Sequence, residues 1–268
     1  MNAPSPHVGA AAPAGGAAAR ALRYAVRVPM LLWHVLVHLP LVLVLITLPS
    51  RRLRIGPESL EDRLIRAWSA GLMRVFGFRL RRYGTPLPGA ALFVANHVSW
   101  IDIEALHSQR MMGFVAKREI ERWPVVGWLA ARGQTIFHHR GSAESLGGVL
   151  HEMLARLRSG RSVGVFPEGG TRDGRELGPF HARIFLAAVE AGVPVQPVAL
   201  RYGERGDAQS VVAFHPGESF LANFLRLLGE PARLAEVHFL QPIQPGETDG
   251  RRRIAELARQ RILEVMRH

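Results

Sequence analysis

From about Phe78 onward the chain alternates short apolar runs with helical stretches, and that alternation limits the fold more than any other feature. The runs cover 90–95, 112–116, 135–137, 162–166, 195–200 and 211–214, each the length of a buried strand. Helical patterns occupy 142–158 and 180–191 between them. Such a sequence predicts an α/β domain with a mixed, largely parallel sheet flanked by helices. Open sheets of this kind gather ligands beyond the carboxyl ends of their strands. The residues that follow each apolar run are therefore the candidates for chemistry. Residues 249–268 read as an Arg-rich surface helix, and no internal repeat is present.

The N-terminal part has a different character. Residues 1–19 are Ala, Gly and Pro with almost no charge and read as a disordered tail. Arg20, Arg23 and Arg27 lead into an apolar run over 28–49, roughly 20 residues and long enough to span a bilayer core. No small-residue cleavage site follows a short apolar core, which argues against a removed signal peptide. A buried helix of a soluble fold is the plain alternative, and His34, His38 and Pro40 make an imperfect span. Arg51, Arg52 and Arg54 make the far end basic too, so the positive-inside bias nearly cancels. Pro57, Ser59 and Asp62 then mark a helix start with a capping box. Leu60, Leu64, Ile65, Trp68, Leu72, Val75 and Phe76 fall on one stripe of that helix. The expected arrangement is a membrane-associated two-helix anchor over 20–78 that dips into one leaflet, followed by the α/β domain at 79–268.

The most informative strand end is Asn96-His97-Val98-Ser99-Trp100-Ile101-Asp102, which leads from the run at 90–95 into a helical pattern. Five steps of about 100° place His97 and Asp102 on different faces of an ideal helix. A contact between them requires His97 in the turn and Asp102 in the first helical turn. The carboxylate then holds one imidazole nitrogen and leaves the other to take a proton. A capping box fits the same residues, with Ser99 as the cap and Asp102 bonding back to the cap's amide.

Three further stretches end at predicted strands. Residues 133–141 run into Arg140; residues 165–174 carry Glu168, Gly169 and Arg172; residues 193–199 form a proline-flanked strand. The glycines of the second stretch permit close backbone approach, and its amides with Arg172 suit an anion. Residues 164–171 superficially resemble a phosphate-binding P-loop, but Gly170 stands where the motif needs Lys and Pro167 interrupts it. Nucleotide hydrolysis is excluded on that ground. His138 and His139 are adjacent on a strand and point to opposite faces, and no carboxylate–histidine cluster backs them, so neither a metal nor another cofactor is expected. Taken singly, Arg140 reads as a solvated surface arginine and Glu168 as a loop acid.

Composition narrows the classes. The chain has no cysteine, which excludes disulfides, thiolate zinc sites and a Cys nucleophile. Lys and Arg number 34 against 22 Asp and Glu, a formal charge of +12. Such a balance suits a polyanion, an anionic membrane surface or an acidic small substrate. Aromatic residues are 7% and do not interleave with a basic run, so nucleic acid is not the expected partner.

In order and spacing these blocks resemble the 1-acylglycerol-3-phosphate acyltransferase family, the glycerolipid acyltransferases with an NHxxxxD motif. Residues Asn96 to Asp102 match its first motif, and the stretch ending in Arg140 resembles its second block. Phe166-Pro167-Glu168-Gly169 matches its third, and residues 193–198 resemble its proline-containing fourth. Lys117-Arg118-Glu119 followed by Pro124, Gly127 and Trp128 is similar to the family as well, and the resemblance covers about 55–215. It implies acyl transfer from acyl-CoA or acyl-carrier protein to the free hydroxyl of a lysolipid, with His97 as general base and Asp102 as its orienter. No covalent intermediate is needed. Arg140, Glu168, Gly169 and Arg172 are then expected at the acceptor.

Two departures bear on that acceptor. The family commonly has Thr-Arg-Ser after Phe-Pro-Glu-Gly, whereas here Gly170 intervenes and the arginine is displaced by one position to Arg172. His139 precedes Arg140 where an acidic or amide residue is common. The leading acceptor is 1-acylglycerol-3-phosphate, giving phosphatidic acid, with a lyso-ornithine lipid as its rival. The expected location is the bacterial inner membrane with the site on the cytoplasmic face. A hydrolase using His97 to activate water, and a non-catalytic protein binding anionic lipid through its arginines, are the competing readings.

Overall fold

The computed structural model describes residues 16–48, 53–55, 58–122, 127, 130, 133–138 and 143–267. Arg140, together with Pro124 and Trp128, lies outside the described residues, as do residues 1–15 of the expected tail.

Seven strands form the main sheet: β1 (Phe78–Tyr83), β2 (Leu92–Ala95), β3 (Gly113–Lys117), β4 (Ile136–His138), β5 (Val163–Val165), β6 (Val195–Tyr202) and β7 (Arg233–Phe239). Their order is β1-β7-β6-β2-β5-β3-β4. Every neighbouring pair is parallel except β6 with β7. The sheet is thus mixed and mostly parallel, as the alternation predicts. Central strands read as continuous apolar runs because both faces are covered. Along β2, Leu92 and Val94 pack to one face while Phe93 and Ala95 pack to the other.

Helices cover both faces. On one lie α3 (Leu60–Val75), α4 (Ile101–His107) and α8 (Phe220–Gly229), around a core of Met73, Phe76, Phe93, Ile101, Leu106 and Leu227. On the other lie α5 (Ala143–Arg158), α6 (Leu186–Ala191) and α9 (Gly250–Arg267), around Leu92, Val94, Met153, Phe185 and Ala258. The run 211–214, read as a strand, is instead the end of a short helix, α7 (Gln209–Val212), followed by a bend. The Phe214 amide donates to Val98 O, so this apolar stretch packs under the 96–102 turn rather than joining the sheet.

The N-terminal helix is continuous from α1 (Ala17–Trp33) through a π-helical stretch (His34–His38) to α2 (Leu39–Thr47). Residues 17–19, read as tail, belong to it. It is the one described helix long and apolar enough to cross a membrane. The expected second anchor helix, α3, has another character. Ser59 caps it, accepting from the Asp62 amide at 3.1 Å as its sequence predicts. It then buries Leu72, Met73, Val75 and Phe76 in the main core. One apolar helix rather than two is therefore available to a bilayer. The backbone turns at Gly77 with φ +81°, where a Cβ would stand 2.0 Å from Arg27 Nη2.

Candidate active site

The carboxyl ends of β2 and β5, which are parallel neighbours, bring the 96–102 turn beside the 166–178 loop. Asn96 fixes the start of the turn. Its Nδ2 donates to Leu200 O and its Oδ1 accepts from Leu200 N, at 3.0 and 2.8 Å, so the side chain knits β2 to β6. His97 follows in the turn, and Asp102 lies in the first turn of α4 with no exposed surface.

His97 Nδ1 is 2.8 Å from Asp102 Oδ2. The same oxygen accepts the amides of Val98 and Ser99 at 2.7 and 2.9 Å. Tyr202 Oη donates to Oδ1 at 2.6 Å. Four donors thus compensate a carboxylate withdrawn from water. Because a carboxylate accepts, Nδ1 carries the proton and Nε2 keeps its lone pair. Among the described residues Nε2 has no hydrogen-bond partner. The ring lies flat on Phe166, with centroids 3.9 Å apart, and Phe166 stacks in turn on Phe114.

The two readings of this turn prove compatible. Asp102 bonds back to the Ser99 amide as a capping box requires, and it holds His97 with the same oxygen. Ser99 departs from the capping pattern. Its hydroxyl donates to Asn223 Oδ1 at 3.1 Å, and Trp100 Nε1 donates to the same atom at 3.1 Å. Asn223 is fully buried on α8, so a helix more than a hundred residues away supports the turn.

Glu168 is 4% exposed, and its carboxylate grips two backbones. Oε1 accepts the His97 amide at 2.9 Å and Oε2 accepts the Gly178 amide at 2.8 Å. Arg172 Nε stands 3.5 Å from Oε2, and the Arg172 amide donates to His97 O at 2.8 Å. Burial pushes the Glu168 carboxyl up from its ordinary value, against the opposing pull of those amides, Arg172 and His97. Gly169 has φ +74°, and a Cβ there would press on the His181 ring at 3.0 Å. Its amide already donates to Phe166 O, so it closes the turn rather than facing an anion.

Of the residues singled out in the sequence, His97, Asp102, Glu168 and Arg172 therefore come together, with Gly169 shaping the loop. Tyr202 and Asn223 were missed. Burial and the Asp102 carboxylate hold the Tyr202 phenol well above its ordinary pKa, so it remains a donor. Its only sequence signal is a hydroxyl at the end of an apolar strand. Asn223 is a lone amide in an apolar helix.

A family model described as Acyltransferase matches residues 79–201. The lyso-ornithine lipid O-acyltransferase of Pseudomonas aeruginosa is 39% identical to this chain over 202 residues, 75% of this chain and 76% of that protein. The 1-acyl-sn-glycerol-3-phosphate acyltransferase of Neisseria meningitidis is 38% identical over 148 residues, 54% of this chain and 58% of that protein. Among solved structures, the 1-acyl-sn-glycerophosphate acyltransferase PlsC of Thermotoga maritima has a TM-score of 0.66 at 19% identity, covering 93% of this chain and 98% of that one. At that identity the likeness is one of fold. With a relative matched over three quarters of both chains, this chain belongs to the Acyltransferase family.

Proposed function

We propose that the protein moves a fatty acyl group from a thioester donor, acyl-CoA or acyl-carrier protein, to the free hydroxyl of a lysolipid, with His97 Nε2 as general base. The contact of His97 Nδ1 with the buried Asp102 carboxylate carries this reading. Nε2 takes the hydroxyl proton as the oxygen attacks the thioester carbonyl. Collapse of the tetrahedral species expels the thiolate, which recovers the proton from the imidazolium. Asp102 stabilises the imidazolium between those steps. A general base of this kind contributes about 10² to 10⁴-fold, and the alignment of donor with acceptor supplies much of the rest. Glu168 acts through backbone, since both of its oxygens hold amides of the site. Arg172, whose side chain is 43% exposed, and Arg140 are assigned to the acidic head group of the acceptor.

A lyso-ornithine lipid is the acceptor favoured here. The relatives from Pseudomonas aeruginosa and Brucella abortus, matched over 76% of their lengths, carry that name. Relatives named for 1-acyl-sn-glycerol-3-phosphate align over 58% of theirs or less. The shift of Arg172 by one position agrees with an altered head-group site. The second reading is 1-acylglycerol-3-phosphate, supported by the 38% identity to the Neisseria meningitidis relative.

The long apolar helix supports attachment to a membrane surface, and we assign the enzyme to the cytoplasmic face of a bacterial inner membrane, where acyl thioesters are available. We assign 79–268 to the acyltransferase domain, with α3 shared between that domain and the anchor. A product assay with labelled acyl-CoA or acyl-carrier protein, offered both lysolipids, tests the reading. His97→Ala should lose at least 10²-fold in turnover while its circular dichroism and membrane binding persist. Turnover near wild type in that variant refutes the mechanism. Release of free fatty acid without acceptor identifies a hydrolase.

A further inference from the structure

A cavity of about 430 Å³ opens on the face of the sheet opposite Asp102. Tyr202 and Arg201 are consecutive on β6 and point to opposite faces. The Tyr202 hydroxyl meets Asp102, whereas Arg201 lines the cavity with Arg175, Arg259, Arg267, Glu176 and Gln209. The volume lies in the range that holds small ligands. His97 is not part of its wall.

Four guanidinium groups against one lining carboxylate make this a cationic cavity. Arg201 is 8% exposed, its Nη1 donates to Val265 O at 3.1 Å, and Glu236 stands 3.4 Å from Nε, which makes no hydrogen bond. Arg259 donates to Gly178 O and Leu177 O, both at 2.8 Å. Neither Arg259 nor Arg267 has a carboxylate partner among the described residues. Arg175 has only the exposed Asp173, at 3.9 Å. A planar guanidinium with spare N–H donors binds phosphate oxygens in bidentate fashion.

The cavity shares a loop with the catalytic turn. Gly174 lies two residues beyond Arg172, a reach of at most about 7 Å, and the Arg172 amide is bonded to His97 O. Gly178 joins the two sites, since its N–H donates to Glu168 and its carbonyl accepts from Arg259. An acceptor's acidic group is only a few bonds from its reacting hydroxyl and must bind beside the imidazole. A thioester donor is built differently. Its phosphates are separated from the sulfur by a long flexible arm. We propose that this cavity binds a phosphate of the acyl donor, with Arg175, Arg201, Arg259 and Arg267 as its ligands. The assignment to the donor rests on the acyl-transfer reading, and remote binding of this kind holds the thioester for attack.

The test uses the full chain in detergent and the Arg175→Ala/Arg267→Ala double variant, which leaves the loop-holding Arg259 in place. Calorimetry measures the affinity for adenosine 3′,5′-bisphosphate and for inorganic phosphate, with no turnover required. Kinetics measure KM for acyl-CoA, for the phosphate-free acyl-pantetheine and for the acceptor. The bisphosphate should bind the wild type and bind the variant about ten-fold more weakly or worse. The KM for acyl-CoA should rise by a similar factor, with those for acyl-pantetheine and acceptor unmoved. No binding of the bisphosphate by the wild type, or equal binding by the variant, overturns the proposal. Inorganic phosphate bound as tightly as the bisphosphate, with the KM for acyl-CoA unmoved, makes this a free-phosphate site and also overturns it. A rise in acceptor KM alone reassigns the cavity to a lipid head group. Failure of the acyl-transfer reading leaves the calorimetry intact, so the two failures are distinguishable.

Discussion

Asp102 is held by groups from two separate parts of the chain, and only one of them adjoins it in sequence. The amides of Val98 and Ser99 and the ring of His97 come from its own turn, whereas the Tyr202 hydroxyl comes from a strand 100 positions away. Tyr202→Phe keeps the ring packing and removes one donor to a buried charge. It should destabilise the fold by about 1.5–3 kcal/mol and lower turnover, read by urea unfolding and initial rates. Glu168 makes a pH-dependent contribution of known sign. Its pKa is raised on folding, so the folded state holds its proton more tightly than the unfolded chain does. Its contribution to stability is therefore greatest at low pH and declines as pH rises from 4.5 through the higher folded value. Glu168→Gln should remove that decline from the stability profile. It should also destabilise the chain at neutral pH, because an amide offers one acceptor where two backbone N–H groups need two. Urea midpoints measured across pH 4–7 on both proteins test both statements. His97 and Asp102 were legible because their spacing allows only one contact geometry. Tyr202 and Asn223 were not, because a single polar residue in an apolar run carries no period.

At the level of elements, two segments escaped the sequence reading for different reasons. Strand β1, Phe-Arg-Leu-Arg-Arg-Tyr, is an edge strand whose alternate residues face solvent, so arginines diluted its apolar signal. The 211–214 run has strand composition, yet it ends a helix that packs beneath the 96–102 turn, and tertiary contacts overrode propensity. The basic flank of the N-terminal helix likewise serves a purpose that its composition does not reveal. Arg23 donates to Gly229 O, and Arg27 donates to Leu228 O and Glu230 O. These are the open carbonyls at the end of α8, where cations are favoured. The helix is thus fastened to the domain along one side, by Arg23, Tyr24 and Arg27 to α8 and by His34 to α3. On the opposite side Leu22, Val26, Met30, Trp33, Val37, Leu41, Val44 and Leu48 form an exposed apolar stripe at three- and four-residue spacing. A helix docked in this way suits an in-plane anchor better than a lone span. Leu41 and Val44 are 54% and 58% exposed. Replacing both with Glu should shift the protein from the floating to the soluble fraction in vesicle flotation, with the unfolding midpoint nearly unchanged.

At the scale of the whole molecule, the N-terminal helix docks on an element 201 positions away in sequence. Tyr24 bonds to Leu225, and the 96–102 turn rests on Asn223 of the same helix, so the N-terminal helix and the His97 turn share α8 as a common support. Leu221 and Leu225 of that helix are exposed as well. The sheet order was beyond sequence reading because it depends on pairings such as β1 with β7, which join residues about 150 positions apart. The edge at which the 96–102 turn and the 166–178 loop meet was legible, since parallel strands put the loops after their carboxyl ends on one side. A protein held to a bilayer by a continuous flank meets its lipid in two dimensions. Its velocity then follows the mole fraction of acceptor within the surface and not its molarity in the tube. Diluting the acceptor with inert lipid at fixed bulk concentration should slow turnover in proportion, while diluting the same vesicles with buffer, at saturating donor and with all enzyme bound, should leave the rate per enzyme unchanged.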